Sequence, residues 1–134
     1  MPFVLDASLA MTWAIEDEGH PIADVAIERL RVDEAFVPNI WWYEVRNSLL
    51  MNERRNRINK EDTAFFLHEL SRLSIKIDFM HDQDQVLALA RRHRLTFYDS
   101  AYLEIAIRRS CQLATFDKAL MRAARSEKVP LLDR

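Results

Sequence analysis

FVLDAS, residues 3–8, opens with three consecutive apolar side chains and ends them with a carboxylate at Asp6. With no polar alternation, Phe3 to Leu5 reads as a strand buried on both faces, as in parallel sheets covered by helices on either side. Two more runs read alike: Ala35 to Val37, and Val129 to Leu132, where Pro130 marks an edge position. Ile75 to Ile77 and Leu113 to Phe116 are weaker strand candidates. Helical stretches lie between them, and two open on caps: Asn59 with Asp62 ahead of AFFLHEL, and Asp82 with Gln85 ahead of VLALA. The resulting order is strand, helices, strand, helices, strand, helices, strand, helix, strand. It predicts a single α/β domain over residues 1–134, with a central parallel sheet, helices on both faces and right-handed crossovers.

Composition narrows the chemistry. At 134 residues, 49% hydrophobic and 30% charged, the chain is expected to form one ordinary core. Gly19 is the only glycine, which excludes glycine-rich loops that bring backbone N–H groups onto phosphates, so any chemistry rests on side chains. The single Cys111 has no partner for a disulfide, and His20, His68, His81 and His93 lack zinc-site spacing. These features, with no apolar run long enough for a membrane span, lead us to expect a cytoplasmic protein with no membrane contact. The formal charge of -2 does not mark a nucleic-acid binder. Arginines do cluster at Arg54, Arg55 and Arg57, at Arg91, Arg92 and Arg94, and at Arg108 and Arg109, either as phosphate contacts or as solvated helix faces.

Ligands of open parallel sheets bind at the carboxyl ends of the strands. Four acids fall there: Asp6 after the first strand, Glu44 about two helical turns past the second, Asp99 at a helix head, and Asp117 after the fourth strand. Each has an ordinary structural explanation. Asp6 and Asp117 suit helix caps, Asp99 suits a capping box with Thr96, and Glu44 complements the positive end of its helix. Capping does not explain why an acid follows an apolar strand core, or why Glu44 sits among Trp41, Trp42, Tyr43 and Val45. Carboxylates gathered at a semi-buried edge repel one another and lose hydration unless a cation joins them, and Mg²⁺ or Mn²⁺ favours such oxygen donors.

The segments VLDAS (4–8), VPNIWWYEVRNSLL (37–50), LTFYDSAYLEIA (95–106) and LATFDKAL (113–120) resemble the signature regions of PIN-domain nucleases, and closely those of the VapC toxins among them. The resemblance spans essentially the whole chain, in order. It implies a sheet of strand order 3-2-1-4-5 and an endoribonuclease site dependent on Mg²⁺ or Mn²⁺. Its acids fall on Asp6, Glu44, Asp99 and Asp117, the ions being held mainly by Asp6 and Asp99. The accompanying polar residues match Ser8, Asn47 and Thr115, which the resemblance puts behind the acids as orienting groups. It further implies an RNA substrate, products with 5′-phosphate and 3′-hydroxyl ends, a homodimer, and a hetero-oligomer with a VapB-like antitoxin.

Competing classes fit less well. A haloacid-dehalogenase-like phosphatase needs a second aspartate where Ser8 stands, and a receiver-like phospho-acceptor domain wants an acidic pair and a late lysine, yet Met1 to Leu5 holds no acid. A catalytically inactive PIN fold kept as a binding module is the remaining alternative. Trp13, Trp41, Trp42, Phe65, Phe66 and Tyr102 are expected in the core or at an interface between chains, and Cys111 is expected to be a buried structural thiol.

Overall fold

The structure, a computed structural model, describes residues 1–15 and 19–133. Four strands, β1 (Phe3–Leu5), β2 (Ala35–Val37), β3 (Ile75–Ile77) and β4 (Gln112–Ala114), form a parallel sheet in the order β3-β2-β1-β4. The register aligns Phe3 with Ala35 and Gln112, and Ala35 with Ile75, so all four strands end in one line. Asp6 and Asp78 step off that edge together: Asp6 N–H donates to the Ala114 carbonyl (3.0 Å) and Asp78 N–H to the Val37 carbonyl (2.8 Å).

Helices α1 (Ala7–Met11) and α2 (Pro21–Arg29) follow β1, and α3 (Ile40–Arg54) and α4 (Lys60–Ser71) follow β2. After β3 come α5 (Gln83–His93) and α6 (Phe97–Arg109), and α7 (Lys118–Ser126) follows β4. Phe3, Val4 and Leu5 are all fully buried, so both faces of β1 are covered, as the unalternated apolar run requires. The edge strand β3 exposes Lys76, which pairs with Glu34 at 2.7 Å, a charge that discourages pairing with another sheet. Among the described residues no helix is long and apolar enough to cross a membrane.

The caps form where the sequence indicates. Asn59 and Asp62 complete a reciprocal capping box (2.8 and 3.0 Å), and Asp82 accepts from Gln85 N–H at 3.2 Å. With almost no glycine available, Asn56, Arg94, Ser110 and Lys128 take the left-handed conformation.

Two strand expectations change in detail. The fourth strand is Gln112–Ala114 rather than Leu113 to Phe116. The fifth shrinks to one parallel bridge between Leu113 and Leu131, held by Leu113 N–H to the Pro130 carbonyl and Leu132 N–H to the Leu113 carbonyl, both 2.9 Å. Its place beside β4 agrees with the expected order, but it cannot lengthen. Pro130 has no N–H, and Val129 spends its own on the Ala124 carbonyl at the end of α7.

Candidate active site

The carboxyl end of β1 delivers Asp6 into a nearly water-free position, 6% exposed. As the N-cap of α1 it accepts the Ser8 N–H (3.4 Å), while Oδ2 accepts the hydroxyls of Ser8 (3.0 Å) and Thr115 (2.7 Å). Thr115 in turn accepts the Asp117 N–H at 3.0 Å, which commits its own proton to Asp6. Asp117 caps α7 through Oδ1, accepting from Leu120 N–H at 2.8 Å. Capping therefore accounts for one oxygen of Asp117 and leaves the other available.

Glu44 reaches in from α3 and accepts a 2.6 Å hydrogen bond from the Tyr102 hydroxyl. That phenol is wholly buried and its oxygen also meets the Ala7 N–H, so one atom ties α3 and α6 to the residue after Asp6. Burial, with the charges of Glu44 and Asp6 nearby, pushes the Tyr102 proton far beyond its ordinary range and keeps the hydroxyl a donor. Asp99 sits in the first turn of α6, whose Thr96 N-cap accepts the Asp99 N–H at 3.1 Å.

Field effects link the four acids. Burial raises the pKa of Asp6, with Asp117 adding to the rise. Burial likewise raises Glu44, helped by Asp6 and Asp99, and raises Asp99, helped by Asp6 and Asp117. Among the described residues none of the four is paired with lysine, arginine or histidine. A family model described as the PIN domain matches residues 3–126, from β1 to the end of α7. This chain belongs to the PIN-domain family.

Ribonuclease VapC3 of Pyrobaculum aerophilum is 30% identical over 136 aligned positions, covering 98% of both chains. The crystal structure of PAE2754, from the same organism, superposes on 92% of this PIN domain and 84% of its own chain, with a TM-score of 0.71 at 22% identity. That second likeness is one of fold.

Ser8 and Thr115 are hydrogen-bonded to Asp6. Asn47 is exposed, with no hydrogen bond to the acids among the described residues. Helical geometry explains this, because Asn47 lies about 60° to one side of Glu44 while Ser48 lies about 40° to the other. Ser48 faces a cavity of about 640 Å³ that opens beside Glu44.

Of the aromatic residues expected inside, Trp41 and Tyr102 are buried, whereas Trp42 and Phe65 are 44% and 66% exposed. Phe65 lines, with Trp13, Phe66 and Leu70, a groove of about 900 Å³. Cys111 is a buried free thiol whose pKa burial raises, as expected.

Arg108 and Arg109 are unavailable to phosphates. Arg108 binds both oxygens of Asp78 at 3.0 Å and Glu104 at 2.7 Å, and Arg109 binds Asp78 at 2.6 Å. His81 adds a 2.9 Å contact to Glu104. Burial alone would raise the Asp78 pKa, but bonds from Arg108, Arg109 and the Met80 N–H bring it down to about 2. Sequence reasoning missed this network and the Tyr102–Glu44 bond. The only local signals were the four-residue spacing of Glu104 and Arg108 and the three-residue spacing of Asp99 and Tyr102, each of which shares a helix face.

Among the described residues no group of three or more His, Cys, Asp or Glu is already arranged to hold an ion. The donor set nevertheless fits Mg²⁺ or Mn²⁺. It offers carboxylate oxygens alone, without a protein cation, and such ions keep several waters and need only one or two protein carboxylates each.

Proposed function

We propose that this PIN domain is an endoribonuclease dependent on Mg²⁺ or Mn²⁺, with Asp6, Glu44, Asp99 and Asp117 as its reacting centre. The observation that carries the reading is four carboxylates from the end of β1, α3, α6 and the start of α7 near enough to act on one another's charge, three of them raised chiefly by burial, with no lysine, arginine or histidine paired to any among the described residues. Family membership and the printed name of the ribonuclease relative support the same class.

Asp6 and Asp99 are assigned as the main holders of the ion, with Glu44 and Asp117 assisting. Ser8 and Thr115 orient the Asp6 carboxylate, and Tyr102 orients Glu44. A bound divalent ion supplies positive charge to the scissile phosphate and acidity to the attacking water. The protein's own part is to hold four oxygen-donor side chains in place beside one another. No side chain is assigned as a nucleophile.

The reading extends to a toxin restrained by a VapB-like antitoxin. The groove of about 900 Å³ beside Trp13 and Phe65 suits the apolar face of a partner helix, and a partner arginine would match the paired acids. A homodimer would cover apolar side chains left exposed at the edge, such as Phe79, Met80, Phe97 and Tyr98. The deciding experiment is cleavage of single-stranded RNA by the purified chain with Mn²⁺ and with chelator. Cleavage should require the ion and fall on the order of 10³-fold or more in Asp6→Asn and Asp99→Asn, as when a metal's charge is lost from the transition state. Folded variants that cut as well as the wild type would refute the assignment.

A further inference from the structure

We propose that the cavity beside Glu44 is a subsite for one unpaired base of the RNA strand, next to the phosphate to be cut. The inference rests on the nuclease reading for its strand; its pocket shares Ser8 and Glu44 with the acid centre and adds His20, Phe116, Met11 and Ser48. One wall is an aromatic pair: the His20 and Phe116 rings stack with centroids 5.0 Å apart and planes 29° from parallel. Met11 and Thr12 close the cavity on another side, and Ser48 and Glu44 line it from α3. Its volume, about 640 Å³, lies within the range of small-ligand sites.

The chemistry of the walls selects the occupant. Among the described residues no lysine or arginine lines the cavity, and Glu44 is part of it, so an anionic phosphate is disfavoured there. Flat apolar and aromatic surface with a few hydrogen-bonding groups at the margin is what a splayed nucleobase requires.

Two such groups are free to bond. The Ser48 hydroxyl has no hydrogen-bond partner among the described residues. His20 uses Nδ1 to accept the Ile22 N–H at 3.2 Å, so the neutral ring carries its proton on Nε2 as a donor. Thr12 is not such a group, since its hydroxyl is given to the Leu9 carbonyl at 2.8 Å. The N-cap bond also ties the ring to the start of α2.

The test separates base from sugar and phosphate. Each common ribonucleoside 5′-monophosphate, and ribose 5-phosphate, is titrated into the intact protein with saturating Mg²⁺ while binding is followed by isothermal titration calorimetry. At least one nucleotide should bind ~10-fold more tightly than the sugar phosphate, as stacking of a base on an aromatic side chain provides. His20→Asn keeps a capping oxygen for Ile22 and removes the ring, and it should bring all ligands to about the same affinity. Phe116→Leu should reduce the preference by an independent route.

Equal affinities in the wild type, or a preference unchanged in His20→Asn, would overturn the subsite. Metal-dependent RNA cleavage is assayed on the same preparations. Cleavage without base-dependent binding removes the subsite alone, and base-dependent binding without cleavage removes the nuclease reading and with it the placement beside a cut phosphate, leaving only a base-binding cavity. Finally, an abasic ribose is moved stepwise through a short RNA. Cleavage should slow when it adjoins the cut, while no penalty at any position would mean a free-nucleotide site and overturn the RNA assignment.

Discussion

Asp6 and Asp78 each follow the last residue of a parallel strand, one after β1 and the other after β3, and both are almost wholly buried. Their surroundings could hardly differ more. Asp78 is gripped by two arginines and a backbone N–H, and its pKa falls to about 2 despite burial. Asp6 has two hydroxyls and other carboxylates for neighbours, and burial drives its pKa up. Position at the edge is therefore common to both, whereas charge compensation separates them. At the β3 end the fold neutralises its acids and locks α6 against the sheet. At the β1 end it leaves negative charge unbalanced, which is stable only with an external cation or with protons.

The largest expected effect tests the compensated side. Arg108→Met removes the guanidinium that ties Asp78 to Glu104, leaving them Arg109 and His81 alone, and urea unfolding should show a loss of about 3–5 kcal/mol. A loss below ~1 kcal/mol would mean that Arg109 and His81 suffice, and the contrast between the two ends would weaken. On the uncompensated side, Tyr102→Phe removes the donor that holds Glu44. Calorimetric titration should show Mn²⁺ affinity falling by about 10-fold or more, the worth of a hydrogen bond to a charged group. An unchanged affinity would take Glu44 out of the ion's reach.

A pH series in chelator sharpens the comparison with smaller changes. Asp78 has a folded-state pKa below its ordinary value, so its stabilisation is full above about pH 4 and is lost as pH falls toward 2. Asp6, Glu44 and Asp99 have raised folded-state values, so their contribution is full below about pH 4 and is lost as pH rises through those values. Acidification from neutral pH should thus first strengthen and then weaken the metal-free protein. Asp99→Asn should flatten the first limb and leave the second intact. Thermal melts across pH will show whether the limbs separate in this way.

Much of this was legible because the decisive signals are local. Phe3 to Leu5 could be read as buried on both faces, and Asp6 as stepping off the edge, from six residues. The caps at Asn59 and Asp82 are equally local, and they formed as expected. What escaped depends on contacts distant in sequence. Arg108 meets Asp78 across 30 positions and Tyr102 meets Glu44 across 58, and neither pairing leaves a spacing to find. Asn47, which the resemblance matched, lies on the exposed side of α3, and Ser48 is the residue on the cavity side, a one-position difference that needs the helix's placement to see. The fifth strand was limited by Pro130 and by the demands of the preceding helix end, the second of which is invisible without the fold.

The central claim is that the acids at the β1 end are stabilised by an external divalent cation. Thermal unfolding of wild type and Asp99→Asn, each with chelator and with Mn²⁺, tests it most directly. Mn²⁺ at ~100 times its dissociation constant should stabilise the wild type by about 2.7 kcal/mol. Asp99→Asn should be the more stable protein in chelator and should gain much less from the ion. If Mn²⁺ left the wild type unchanged, or if Asp99→Asn were less stable than wild type in chelator, Asp99 would be a helix-capping residue and the metal site would be wrong.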